Sequence, residues 1–142
     1  MRDKIIVTGI AGRLGRLLAR RLHRDIAGRV IGIDRRDFPG RPRDIEHLKV
    51  DLRSKKARDI FRGEDVSALI HMGLMHDPRM TATEHHSWNV QGTARLLDAC
   101  ASYGVPKVNV LSSANVYGPR PDNAQFLSEE APLNAGLHFP AI

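Results

Sequence analysis

The sequence predicts an α/β fold: a doubly wound parallel sheet of about five or more strands with helices on both faces. Three observations predict it. Short runs of consecutive β-branched apolar residues recur along the chain, as in strands covered on both faces. Stretches with apolar residues at helical spacing separate them. A glycine-rich turn joins the first run to the first such stretch. A length of 142 residues suits one domain, so residues 1–142 are read as a single unit with a loop-rich tail over 119–142.

Taken in order, Lys4 to Thr8 reads as a buried strand because Ile5, Ile6 and Val7 are consecutive and β-branched or apolar. Leu14, Leu17, Leu18 and Leu22, with arginines between them, predict an amphipathic helix from Arg13 to His23. Gly28 closes that unit and Val30 to Asp34 repeats the strand pattern, which completes a βαβ grammar. Phe38 to Pro42 is a loop by its Pro and Gly content. His47 to Asp51, Ala68 to Met72 and Lys107 to Ser112 are three further strands, with helical stretches at Ser54 to Arg62 and Thr83 to Tyr103. From Gly118 onward four prolines and scattered apolar residues predict loop.

Composition narrows the classes. Cys100 is the only cysteine, so no disulfide joins two points of this chain, and its apolar neighbours Leu96, Leu97 and Ala99 mark it as a core thiol. The chain is 42% hydrophobic and 27% charged and has no apolar run of the length a membrane helix needs. Met1-Arg2-Asp3-Lys4 passes straight into the first strand without the h-region of a signal peptide, and the expectation is a cytoplasmic protein without a membrane partner. The net charge of +6 is uneven: residues 1–71 carry 18 Lys or Arg against 10 Asp or Glu, and residues 72–142 carry 4 against 6. The basic residues are scattered and few aromatics lie among them, which argues against nucleic acid as the partner. His85 and His86 are adjacent and point about 100° apart on a helix, a poor chelating geometry, so no metal is expected.

The sharpest signal is Gly9-Ile10-Ala11-Gly12-Arg13-Leu14-Gly15, between first strand and first helix. Gly9 permits a tight turn, Gly12 lets backbone approach a pyrophosphate, and Gly15 lets the helix pack closely on the sheet. The N–H groups of the helix start then face the phosphates. Asp34 ends the second strand 19 residues after Gly15, near the spacing at which a carboxylate accepts hydrogen bonds from an adenosine ribose. These residues predict dinucleotide binding. A carboxylate at that position repels the 2′-phosphate of NADP and accepts from the free hydroxyl of NAD, so NAD is favoured; Arg35 and Arg36 are the groups that a phosphate would recruit.

With glycines spaced three and three, the chain resembles the extended short-chain dehydrogenase/reductase family, the NAD-dependent nucleotide-sugar epimerases and dehydratases. Asp51-Leu52 resembles the family pair that meets the adenine, and Asn89-Val90-Gln91-Gly92-Thr93 resembles its Asn-Val-x-Gly-Thr, in which the Asn supports the sheet and site. Ser112-Ser113-Ala114-Asn115-Val116-Tyr117-Gly118 is similar to the family's Ser-Ser-x-x-Val-Tyr-Gly after the fifth strand. The resemblance runs from Lys4 to about Pro132. It implies a Rossmann-type NAD-binding domain whose cofactor contacts include Gly9 to Gly15, Asp34, Arg35, Asp51, Leu52, Asn89 and Ser112. His71, Met72 and Gly73, standing where the family has His-Leu-Ala, join them beside the nicotinamide ribose. Ser113 takes the place of the catalytic Ser or Thr, and the implied substrate is a small molecule such as a sugar nucleotide, with hydride transfer to nicotinamide.

The family's Tyr and Lys, four residues apart on the helix after the Ser loop, have no counterpart at that place. Tyr103 and Lys107 have the spacing, but Gly104 and Pro106 lie between them and both precede the fifth strand. Tyr117 belongs to the Val-Tyr-Gly turn, and His138 is the remaining candidate base, with nothing in the sequence to fix its position. Two expectations stay open: the cofactor half of an epimerase, dehydratase or reductase with its substrate lobe absent, or a non-catalytic NAD(P)-binding or sensor module. The fifth strand, apolar at Val108, Val110 and Leu111, is expected to leave an open sheet edge and to promote a homo-oligomer.

Overall fold

The computed structural model describes residues 4–25, 28–62 and 66–135. Five strands, β1 (Lys4–Thr8), β2 (Arg29–Asp34), β3 (Ile45–Lys49), β4 (Val66–His71) and β5 (Val108–Val110), form one parallel sheet in the order β3-β2-β1-β4-β5. The strand order reverses between β1 and β4, so the sheet has a switch point there, flanked by Thr8 and His71 at matching heights.

Side-chain alternation along β1 divides the core. Ile6 points to one face with Ile33, Leu69, Phe61, Leu96 and Cys100; Ile5 and Val7 point to the other with Ile10, Ala19, Leu22 and Val30. Helix α1 (Arg13–Asp25) covers the second face; α2 (Lys55–Asp59) and a long C-terminal helix cover the first. That helix begins as α3 (Ala82–His85), widens into a π-helical segment over His86–Gly92 and continues as α4 (Thr93–Ser102). A capping box starts it, with the Thr81 hydroxyl accepting from Glu84 N–H and the Glu84 carboxylate accepting from Thr81 N–H.

The structure corrects several sequence expectations. The exposed arginine face of α1 also carries Leu14 and Leu17, 53% and 54% exposed, while Gly15, Ala19 and Leu22 face the sheet. The small face wins because the helix lies directly on the glycine turn. Strand β3 starts at Ile45 rather than His47, since Ile45 pairs with Val30 and is fully buried; Val50 and Asp51 have already left the sheet. Strands β4 and β5 end at His71 and Val110, short of Met72 and Ser112. The tail folds back on itself: Asn134 and Ala135 donate backbone hydrogen bonds to the Val116 carbonyl, and Asn123 donates to Gly118 O.

Candidate functional site

A crevice of about 440 Å³ opens at the carboxyl ends of the strands, beside the switch point. Its walls are Gly9 after β1, Ile33 to Arg36 at the end of β2, Val50 and Leu52 after β3, Met72 to Asp77 after β4, and Trp88 from the π-helical segment. Gly9 has a φ of 73°, and a Cβ there would lie 2.8 Å from the Met72 carbonyl group, so both conformation and space require glycine. The turn closes by Gly12 N–H donating to Gly9 O. At Gly15 a Cβ would stand 2.2 Å from Gly9 O, which shows how closely α1 packs on the turn. No acidic residue stands in the first turn of α1, so the positive end of the helix is left for an anion.

Asp34 is the buried carboxylate of the site. Its Oδ2 accepts from Ala11 N–H at 3.0 Å and its Oδ1 from Arg36 N–H at 2.9 Å, while the Arg36 side chain donates to both oxygens. Burial pushes the carboxyl upward, but the Arg36 side chain and backbone, the Arg36 charge and the Ala11 N–H together hold it below the usual carboxylate range. The carboxylate therefore ties the end of β2 to the glycine turn. Arg36 lies across that turn, its Nη2 being 3.2 Å from where a Gly12 Cβ would be.

The wall after β4 is held by a second network. Thr8 Oγ1 accepts from Met72 N–H and Gly73 N–H at 3.1 and 3.0 Å. With both acceptor positions filled, its proton goes to His71 Nδ1, which leaves His71 Nε2–H to donate to Thr93 Oγ1 at 2.8 Å. The imidazole is thus fixed in one neutral tautomer, and burial pushes its pKa down to about 4. His71 has no exposed surface, so it acts on the crevice through Thr8 and the loop rather than by touching a ligand. Asn89 is bonded in both directions to the Met75 backbone, at 2.7 and 2.9 Å, and supports the same loop. Trp88 and Asn89 lie on the π-helical segment and both turn inward, where Trp88 Nε1–H donates to Gly73 O.

The remaining predicted residues divide by position. Leu52 is buried against the crevice, and Asp51 forms a two-pronged bond with Arg53, whose side chain holds the carboxyl low against the upward push of burial. Ile10 and Ala11 are buried beneath the turn, whereas Arg13 and Leu14 stand exposed at the start of α1. Ser112 and Ser113 follow β5 and do not line the crevice; Ser113 Oγ accepts from Asn115 N–H and caps the short 3₁₀ turn Ala114–Tyr117. Tyr103 caps α4 on the side where the chain enters β5, at the amino ends of the strands, its hydroxyl accepting from Arg62 Nε, so Tyr103 and Lys107 lie away from the crevice at the carboxyl ends. His138 falls outside the described residues. Sequence reasoning missed Trp88, Thr8 and Thr93. A tryptophan directly before the Asn of the Asn-Val-x-Gly-Thr stretch was the available signal for the first.

A parallel sheet in this order with a glycine turn at its switch point defines the Rossmann class of nucleotide-binding folds. Comparison with known proteins narrows the class. The chain belongs to the NAD dependent epimerase/dehydratase family, whose model matches residues 5–136. It is 28% identical over 150 residues to an uncharacterized UDP-glucose epimerase, YtcB, of Bacillus subtilis, covering 92% of this chain and 46% of that protein. A short-chain dehydrogenase/reductase superfamily protein of Agrobacterium tumefaciens, solved with bound NAD, is 33% identical with a TM-score of 0.79, over 94% of this chain and 41% of that one. MoeE5 in complex with UDP-glucose and NAD is 31% identical with a TM-score of 0.70, over 83% of this chain and 39% of that one. The chain thus spans less than half the length of these relatives.

Proposed function

We propose that the crevice binds NAD and that the chain is the cofactor-binding portion of an epimerase, dehydratase or reductase acting on a sugar nucleotide. The observation that carries this reading is the junction of Asp34 with the glycine turn: its carboxylate accepts from Ala11 N–H, in the turn that leads directly into α1. Asp34 would take the adenosine ribose, the turn from Gly9 to Gly12 and the start of α1 the pyrophosphate, and Leu52 the adenine side. The loop from Met72 to Gly73, held by Thr8, would border the nicotinamide ribose. When bound, nicotinamide accepts a hydride from a substrate carbon. Ser113 Oγ already accepts from Asn115 N–H, so its own proton is free to donate to a substrate oxygen.

NAD is favoured over NADP because the buried Asp34 carboxylate, fixed to the turn at Ala11 N–H, would repel the 2′-phosphate. Calorimetric titration with NAD and NADP at fixed salt tests both statements. Tighter binding of NAD, abolished by Gly12→Val, is expected; unchanged affinity in that variant would refute the site. The distant placement of Tyr103 and Lys107 favours a second reading, a non-catalytic NAD(P) sensor, which predicts binding without turnover and a partner affinity that changes on adding NAD.

A further inference from the structure

Two guanidinium groups lie against one indole at the rim of the crevice. Arg53 Cζ is 4.9 Å and Arg35 Cζ 5.2 Å from the centroid of the Trp88 ring. Their charges are treated differently. Arg53 is fixed by Asp51 and by Ser87 Oγ, so its cation is balanced where it stands. Arg35 makes no hydrogen bond or ion pair with a carboxylate among the described residues and feels the Asp51 charge only through space; its one hydrogen-bond contact is with Met75 Sδ at 4.0 Å. The electron-rich face of the indole is therefore what positions the Arg35 guanidinium. Trp88 is itself immobilised, being 6% exposed and bonded through Nε1–H to Gly73 O.

The place of this stack points to its use. Arg35 directly follows Asp34, and both line the crevice together with Val50 and Leu52. A ribose on Asp34 would put its attached base within reach of the next residue along the chain. A guanidinium lying on an aromatic ring presents a flat cationic surface, and purine π-faces stack on such surfaces. We propose that Trp88 is a positioning residue for the adenine half of the dinucleotide, holding Arg35 as the platform on which the base stacks. This rests on the NAD reading given above. It assigns Trp88 a role in binding beyond the core packing that its burial alone would suggest.

The test is calorimetry on the whole chain with three probes: NAD, ADP-ribose, and nicotinamide mononucleotide, which lacks adenine. Arg35→Gln and Trp88→Leu should each weaken NAD and ADP-ribose by about five- to tenfold, the scale of a cation–π contact, and Arg35→Gln, which leaves the Trp88 bond to Gly73 O in place, should leave nicotinamide mononucleotide unchanged. Trp88→Phe keeps a ring face and should retain most of the affinity. The double variant should bind no worse than either single one, because both remove the same platform. Arg35 is exposed, so Arg35→Gln should melt with wild type, which separates loss of the platform from loss of fold should Trp88→Leu prove unstable. Wild-type affinity for ADP-ribose in Arg35→Gln, or losses that multiply in the double variant, would overturn the platform. A wild-type chain that binds NAD poorly would instead overturn the cofactor reading on which it rests.

Discussion

Replacing Gly15 by alanine sets two effects of opposite sign against each other. In a helix, alanine is favoured over glycine by up to about 1 kcal/mol, so propensity alone predicts a more stable protein. The added Cβ, however, would lie 2.2 Å from Gly9 O and 2.7 Å from Ile10 C and Cα. All three are backbone atoms of the turn, so no side chain can rotate away. Ordinary carbon–oxygen contact begins near 3.3 Å, so the start of α1 must retreat by roughly 1 Å. Ala19 and Leu22, on the same buried face, would lose packing with it. Overpacking of this kind costs about 1–3 kcal/mol, and the upper part of that range applies where only backbone can yield. The net expectation is destabilisation by about 1–2 kcal/mol, or a Tm lowered by roughly 3–8 °C for a chain of this length. NAD affinity should fall by at least about tenfold, because near-ångström shifts disrupt the N–H groups aimed at phosphate. Thermal melts and titration of the same sample measure both. A Gly15→Ala variant at least as stable as wild type would refute the close-packing argument.

Three further outcomes are expected. Because the His71 pKa is lowered on folding to about 4, the unfolded chain takes up the proton first: stability is complete above pH about 6.5 and drains as pH falls towards 4, by roughly 3 kcal/mol in all. Urea midpoints across that window should show the slope, and His71→Gln should lose most of it; an unchanged slope would count against the buried neutral tautomer. Burial pushes the Cys100 thiol up to about 11, so at pH 8 a disulfide reagent should label it about a hundredfold more slowly than a free cysteine, with rapid labelling only in denaturant. Fast labelling of the native chain would contradict its place in the core. Strand β5 ends the sheet among the described residues, with Val108, Val110 and Leu111 39%, 45% and 43% exposed, so light scattering should show mass rising with concentration and Val110→Lys should suppress the rise. A strictly monomeric wild type at tens of micromolar would contradict the open-edge argument.

Most of the sheet was legible because its strands are short apolar runs with no competing period, and Ile5 to Val7 admit few readings other than a strand buried on both faces. The glycine turn and Asp34 were legible for a different reason: backbone conformation and close approach restrict residue type at 9 and 15, and a buried acidic residue is uncommon at a strand end. The helices were less transparent. Four leucines outweigh one glycine and one alanine in any hydrophobic pattern, yet α1 buries Gly15 and Ala19 and exposes Leu14 and Leu17, because the distance of approach to the turn decides its rotation. The π-helical segment was invisible for a related reason. Trp88 and Asn89 are held inward there by bonds to the Gly73 and Met75 backbone, long-range contacts that the residues of the segment do not announce.

An Asp-x-Arg device, neutral in charge, is repeated at the strand ends. After β2, β3 and β4 the chain carries Asp34-Arg35-Arg36, Asp51-Leu52-Arg53 and Asp77-Pro78-Arg79, and in each the arginine N–H donates to the aspartate Oδ1 while its guanidinium grips the same carboxylate. A side chain bonding the backbone two residues on stabilises a turn locally, and the guanidinium neutralises the carboxylate that makes it. Three loops that must leave the sheet at the same end are shaped this way without leaving net negative charge on the rim where phosphates would bind. The three differ in burial: the aspartate side chains are 4%, 36% and 27% exposed in chain order. Only Asp34 also accepts from the glycine turn, at Ala11 N–H. That backbone bond persists if Arg36 swings out, so on the proposed reading a ribose diol can take the place of the guanidinium on a carboxylate already held in position. Asp51 and Asp77 have no such bond to the turn, and the same exchange there would leave an anion facing solvent.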